Sequence, residues 1–265
     1  MKKTLSVFLK VTIGLYIIVC GLLYFFQEKV IFFPEYLDQE YQFQFNQEFE
    51  EMTIQANDGA SLHGLLFRAD STKGLIFYLH GNAGSLRNWG NVAKSYTDLN
   101  YDIFIPDYRS YGKSEGDITS QEQLFQDNQI IYEELKKMYN EDQMVVLGYS
   151  IGSGMAAQLA SINNPRLVIL QAPYYSLVDL MRHTYPWIPT FILKYTFETN
   201  QYLKNCEMPI VIFHGAQDRV IYYESSVKLK QDFDLQVTLI TLQGQGHNGM
   251  TYNQLYQKEI KDILK

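Results

Sequence analysis

Hydrophobic positions change their period along the chain, and each change marks a new kind of element. Sixteen residues from Val11 to Phe26 carry no charge, with apolar flanks at Leu5–Leu9 and Val30–Phe33. Residues 27–49 then mix aromatic and polar positions without a steady period. Alternation follows at Glu51–Ala56 and again at Ser61–Arg68, either side of the turn residues Asn57-Asp58-Gly59. That pattern predicts a β-hairpin, because successive strand side chains point to opposite faces. From Gly74 onward the apolar runs become short and continuous, at Leu75–Leu79, Asp102–Ile105, Met144–Leu147, Leu167–Leu170, Ile210–Phe213 and Val237–Leu242. Helical segments are predicted between them at Trp89–Leu99, Ser120–Tyr139, Ser153–Ile162 and Glu224–Gln231, and Tyr252–Leu264 closes the chain. Strands that are apolar on both faces and alternate with helices predict an α/β fold, a mostly parallel central sheet covered by helices on both sides.

One segment breaks this rhythm. Almost forty residues separate the strand ending near Gln171 from the one starting at Ile210, and they hold Tyr174, Tyr175, Tyr185, Trp187, Phe191, Tyr195, Phe197 and Tyr202. A connection of that length inside a compact domain is usually functional. It is read as a small helical cap over the site, at about 174–205, with an aromatic outer helix packed on the sheet as the alternative. The resulting layout is an anchor at 1–26, a tether at 27–50 and one domain at 51–265 that carries the cap.

The charge balance narrows the partners. The chain of 265 residues is 46% hydrophobic and 19% charged, which describes a globular protein with an ample core. Its formal charge is −7, and beyond residue 26 it holds 19 basic against 29 acidic residues, a body of −10. An acidic body without a basic stripe argues against nucleic acid as a partner. Cys20 and Cys206 stand far apart, so neither a disulfide framework nor a zinc-ligand spacing is available and no cofactor is implied. A cleaved signal peptide would want small residues before a cut, and none are well placed. A lipoprotein site would want a small residue before Cys20, where Val19 stands. A retained membrane-spanning helix is the favoured reading, slightly short unless its flanks help. Lys2, Lys3 and Lys10 before or within it, and Glu28, Glu35, Asp38 and Glu40 after it, predict a cytoplasmic amino terminus and a domain outside.

Candidate chemistry begins at Gly148-Tyr149-Ser150-Ile151-Gly152, between a buried strand and a small-residue helix. A serine on such a tight turn stands exposed at the carboxyl edge of the sheet, with glycines where side chains would collide. A serine hydroxyl needs a base, a group to orient that base, and donors for the oxyanion. In this architecture the acid and the histidine follow the serine in that order, each on a loop after a strand. Asp218 follows Ile210–Phe213, and His247 follows Val237–Leu242. The oxyanion donors are expected from the backbone of Ile151 and of Asn82 in His80-Gly81-Asn82-Ala83-Gly84, with Ala83 as the alternative to Asn82. His63, His183 and His214 are read as structural or surface residues.

The set of His80-Gly81-Asn82-Ala83-Gly84, Asp107-Tyr108-Arg109-Ser110-Tyr111-Gly112-Lys113-Ser114, the Ser150 elbow, His214-Gly215-x-x-Asp218 and Gly246-His247 resembles the α/β-hydrolase superfamily. More narrowly it is similar to the serine-aminopeptidase-like branch of membrane-anchored α/β-hydrolase-domain proteins, which includes protein depalmitoylases. Phe26-Gln27-x-x-Val30-Ile31-Phe32-Phe33-Pro34 after the anchor adds to that likeness. Ser110 departs from it, since relatives commonly carry glycine there. The resemblance implies a serine hydrolase cleaving an ester or thioester of an acyl or lipid-like substrate. It leaves open a peptidase or amidase, or a non-catalytic ligand-binding domain, and says nothing of oligomeric state.

Overall fold

In a computed structural model that describes residues 2–265, eight strands build one sheet. In chain order the strands of the molecule are β1 (Phe33–Pro34), β2 (Phe49–Gln55), β3 (Ser61–Phe67), β4 (Leu75–Leu79), β5 (Ala83–Gly84), β6 (Asp102–Pro106), β7 (Met144–Tyr149), β8 (Leu167–Gln171), β9 (Ile210–Gly215) and β10 (Val237–Leu242). The main sheet runs β10-β9-β8-β7-β4-β6-β3-β2. The β2–β3 hairpin pairs antiparallel, as does β3 with β6, and the remaining pairs are parallel. After β4 the chain crosses to β6 on one side and then to β7 on the other. Such a reversal opens a crevice beyond the carboxyl ends of the strands, where open α/β sheets bind ligands.

Strand pleating divides the core in two. On β4, Leu75, Phe77 and Leu79 point into one apolar layer, while Ile76 and Tyr78 point into the other. Helices α5 (Gln121–Lys136) and α6 (Ile151–Ala160) cover the first layer through Leu124, Ile131, Leu135, Met155 and Ala156. The second is covered by α3 (Leu86–Trp89), α4 (Lys94–Thr97) and α10 (Gln254–Ile263), through Leu86, Tyr96, Tyr256 and Ile260. Each fully buried Leu, Ile or Phe contributes roughly 1.5–3 kcal/mol, so continuous apolar strands are what a twice-covered sheet requires. Ser120 and Asn253 cap α5 and α10 with side-chain oxygens that accept backbone N–H groups. Helix α9 (Glu224–Asp232) lies between β9 and β10. Both cysteines are free.

One expectation changes. The helix expected over Trp89–Leu99 is broken into α3, a single 3₁₀ turn at Gly90–Val92, and α4. Ser85 starts it early by accepting the Arg87 N–H, and a side chain at Gly90 would run into the Phe45 ring, so the break lies where the tether packs. The tether packs against the domain. Helix α1 (Lys2–Phe25) is followed at once by α2 (Gln27–Ile31), and β1 then pairs with β5 in a separate two-stranded ladder. Within 174–205 the chain forms α7 (Leu177–Thr184), a 3₁₀ turn at Thr190–Ile192 and α8 (Thr199–Tyr202). Tyr174, Tyr195 and Phe197 from this stretch belong to the buried core, whereas Tyr185, Trp187 and Phe191 are exposed.

Candidate active site

Strand β7 ends at Tyr149 and α6 begins at Ile151, leaving Ser150 alone to turn the chain. Its backbone sits at φ 54°, ψ −118°, a conformation that non-glycine residues seldom adopt and that is held by its surroundings. The Ser150 N–H donates to the Gln171 carbonyl at 2.8 Å, tying the elbow to β8. A Cβ at Gly152 would lie 2.1 Å from the Leu79 carbonyl oxygen, and one at Gly148 would lie 2.4 Å from that of Gly152. Only glycine lets β4, β7 and α6 approach this closely. The five-residue pattern is therefore a steric requirement of the turn.

The structure brings Ser150, His247 and Asp218 into one hydrogen-bonded line. Asp218 Oδ2 lies 2.7 Å from His247 Nδ1, and His247 Nε2 lies 3.0 Å from Ser150 Oγ. A carboxylate only accepts, so Nδ1 carries the imidazole proton and Nε2 is free to accept the serine hydroxyl. The other carboxylate oxygen, Oδ1, accepts the N–H groups of Val220 at 2.8 Å and Ile221 at 2.9 Å. Asp218 thus serves its own turn with one oxygen and the histidine with the other. Burial alone would push its carboxyl up, but hydrogen bonds from His214 and His247 outweigh this and hold it well below the ordinary carboxylate range.

His214 is a contact that sequence reasoning placed only as structural. Its Nε2 lies 3.0 Å from the Ile221 carbonyl and 3.3 Å from Asp218 Oδ2, and its Nδ1 lies 2.6 Å from Ser226 Oγ. The Ile221 carbonyl can only accept, so Nε2 carries a proton and also faces the carboxylate. His63 meets Glu51 at the hairpin, and His183 stacks on Tyr222 at 3.9 Å, both away from Ser150.

The loop after β4 carries Asn82 to the same cavity. Its backbone N–H has no protein acceptor among the described residues. Ile151 is the first residue of α6, where helix N–H groups have no intrahelical partner and the helix dipole favours negative charge. A cavity of ≈ 350 Å³ is lined by Asn82, Ser150 and Ile151 at its base and by Leu177, Leu180, Met181 and Tyr185 from the cap segment. Val30 and Ile31 of α2 and Val220 and Ile221 add to its walls, and no charged residue among the described ones lines it.

Two neighbouring segments hold the Asn82 loop. In the loop after β6, Tyr108 donates its hydroxyl to the His80 carbonyl at 2.8 Å, and Tyr111 donates to that of Asn82. Arg109 forms paired hydrogen bonds with Asp127 at 2.6 and 2.9 Å and with Asp58 at 2.7 and 3.0 Å. Ser110 has φ 67°, the left-handed region that glycine prefers, so the departure from the family pattern leaves the turn in a glycine-like conformation. From the other side, β1 pairs Phe33 with Ala83 and Pro34 with Gly84, and the Glu35 N–H donates to Gly84 at 2.9 Å. The Glu35 carboxylate also accepts from Ser85 Oγ at 2.8 Å and pairs with Arg87. No local periodicity announces a two-residue strand. The only cue in the sequence is the Phe33-Pro34 step itself.

The sequence profile of the serine aminopeptidase family S33 matches residues 70–200. Protein bem46 of Schizosaccharomyces pombe is 27% identical over 77% of this chain and 74% of its own length. Alpha/beta hydrolase domain-containing protein 17B of Xenopus laevis is also 27% identical, over 73% of this chain and 67% of its own. Among solved structures, the Pyrococcus furiosus esterase Pf2001 superposes with a TM-score of 0.70 at 17% identity, covering 88% of this chain and 96% of the esterase. Est1E of Butyrivibrio proteoclasticus superposes with a TM-score of 0.64 at 16% identity, over 81% of this chain and 97% of Est1E. The sheet order, the sequence profile and these relatives agree in supporting the α/β-hydrolase superfamily, in its serine-aminopeptidase-like branch.

Proposed function

We propose that the protein is a membrane-anchored serine hydrolase that cleaves an acyl ester or thioester through an acyl-enzyme. The observation that carries this reading is the line Asp218–His247–Ser150 at 2.7 and 3.0 Å, opening on an apolar cavity. Ser150 Oγ attacks the acyl carbonyl carbon while its proton passes to His247 Nε2. The carbonyl electron pair moves onto oxygen, and the amides of Asn82 and Ile151 receive that oxyanion. Collapse expels the alcohol or thiol, which takes the proton from Nε2. Water then repeats the sequence on the acyl-enzyme, freeing the acid and restoring the Ser150 hydroxyl. Asp218 remains ionised throughout and stabilises the imidazolium.

An aminopeptidase would need an acidic group to hold the substrate's ammonium, and the cavity lining has no Asp or Glu. Aliphatic walls of Leu177, Leu180, Met181 and Ile221 suit an acyl chain instead. Helix α1 has the length and composition of a membrane span, and none of its residues is fully buried. We take it as a retained single span with the amino terminus cytoplasmic, as the lysines at 2, 3 and 10 suggest. The test is a series of p-nitrophenyl esters of rising chain length beside aminoacyl p-nitroanilides. Turnover that rises with acyl length and disappears in Ser150→Ala supports the proposal. Turnover confined to the anilides overturns it in favour of a peptidase.

A further inference from the structure

Tyr16 donates its hydroxyl to the Trp187 carbonyl at 2.8 Å, a contact between the middle of α1 and the middle of the cap segment. Phe25, the last residue of α1, lies nine positions beyond Tyr16, about 14 Å along the helix at ~1.5 Å per residue. The same side of the domain grips the chain again just beyond α1. Gln27 Nε2 donates to the Ile192 carbonyl at 3.0 Å, Gln27 Oε1 accepts the Lys194 N–H at 2.8 Å, and Lys194 Nζ meets Glu28 at 3.1 Å. The carboxyl-terminal half of α1 therefore lies along the cap and does not project away from it.

This creates a conflict with a domain held wholly in water. On the amino-terminal side of Tyr16 the uncharged helix runs only from Val11 to Leu15, five residues or about 8 Å, before it meets Lys10. The hydrocarbon core is about 30 Å thick, and beyond that stretch the helix carries Lys10, Lys3 and Lys2. The conflict disappears if the cap tip enters the lipid beside the helix. Its composition fits: Thr184–Leu193 is ten residues without a charge, with Tyr185 50%, Trp187 59% and Phe191 86% exposed. Its backbone fits in part, because irregular chain is tolerated in lipid to the extent that its polar groups are paired. The N–H groups of Tyr185, Ile188, Ile192 and Leu193 donate to carbonyls of the same segment or of Met181, whereas those of Trp187, Thr190 and Phe191 have no protein acceptor among the described residues. Pro186 and Pro189 have no N–H, and the Trp187 and Ile192 carbonyls accept from Tyr16 and Gln27.

We infer that the cap tip around Tyr185, Trp187 and Phe191 is buried in the hydrocarbon of the membrane alongside α1, so that the Ser150 cavity opens toward lipid. The inference rests on the reading of α1 as a membrane span. Tyr185 belongs both to the tip and to the cavity wall, and Val30 and Ile31 face it from α2. An acyl chain can pass from the bilayer to Ser150 between these walls without crossing bulk water.

The chain has two tryptophans, Trp89 and Trp187, so the difference between the full-length protein and Trp187→Phe isolates the tip. Both are reconstituted in phosphatidylcholine vesicles and washed with alkaline carbonate. Emission is then read with acyl chains brominated near the headgroup or near the methyl end, and with aqueous iodide. The expected result is Trp187 emission quenched by chain bromines and shielded from iodide. A second reporter, Phe191→Trp in the Trp187→Phe background, is expected to behave alike and guards against a local effect of the first variant. Iodide quenching of Trp187 in carbonate-resistant protein overturns the inference and leaves the anchor standing. Shielding from both quenchers overturns it in favour of a face covered by a second copy. Extraction by carbonate overturns the anchor and the inference together, while fluorophosphonate labelling of Ser150 on the same samples reads the hydrolase chemistry separately.

Discussion

At the scale of single residues, Asp218 carries the most divided load. One oxygen accepts two backbone N–H groups of its turn, and the other faces both His247 and His214. Asp218→Asn keeps the size and loses the charge, and an amide facing Nδ1 favours the wrong imidazole tautomer. The expected outcome is a fall in kcat of about 10³–10⁴-fold with the fold intact, measured by steady-state hydrolysis beside circular dichroism. The carboxyl also links stability to pH. Its folded pKa is depressed, so its stabilising contribution is complete above the unfolded value of 3.8 and is lost as pH falls through the lower folded value. Urea unfolding of the wild type and Asp218→Asn is expected to differ most near neutral pH and to converge in strong acid. Serine, aspartate and histidine were legible in the sequence because each follows an apolar strand. His214 was not, since its role depends on a side chain reaching back across its own turn to Ser226 and Ile221.

Among the elements, the elbow and the tether set the geometry of the site in different ways. The elbow is steric. Gly152→Ala would place a methyl group 2.1 Å from the Leu79 carbonyl oxygen, against backbone atoms that cannot rotate aside. A loss of about 3 kcal/mol or more is expected, measured by denaturant unfolding. The tether acts by hydrogen bonding, through β1 lying beside the loop that presents Asn82. Glu35→Pro removes the N–H that Gly84 accepts, whereas Glu35→Ala keeps it and loses only the carboxylate. The proline variant is expected to lower kcat about tenfold with KM little changed, and the alanine variant less, because a displaced oxyanion donor forfeits part of the ~10²–10³-fold that one donor supplies. Strand positions were readable because continuous apolar runs admit few alternatives. The broken helix near Trp89 was not, since Gly90 yields to Phe45 from a distant part of the chain.

Across the whole molecule, sequence order and spatial order converge at one place. The sheet reverses direction at β4, the loops after β4 and β7 open into the crevice, and those after β9 and β10 bring Asp218 and His247 to it. That convergence follows from α/β topology, so the fold and the candidate site were largely foreseeable. The packing of α1, Gln27 and Glu28 against the cap was not, because apolar periodicity does not encode which surface such a helix meets. What remains decisive is whether Ser150 is acylated. The measurement is intact-protein and peptide mass spectrometry after brief exposure to a long-chain p-nitrophenyl ester, followed by acid quench. The expected result is one acyl adduct on the peptide containing Ser150, absent in Ser150→Ala and accumulating in His247→Ala only far more slowly. Turnover of the ester with the adduct elsewhere, or unchanged turnover in Ser150→Ala, would contradict it.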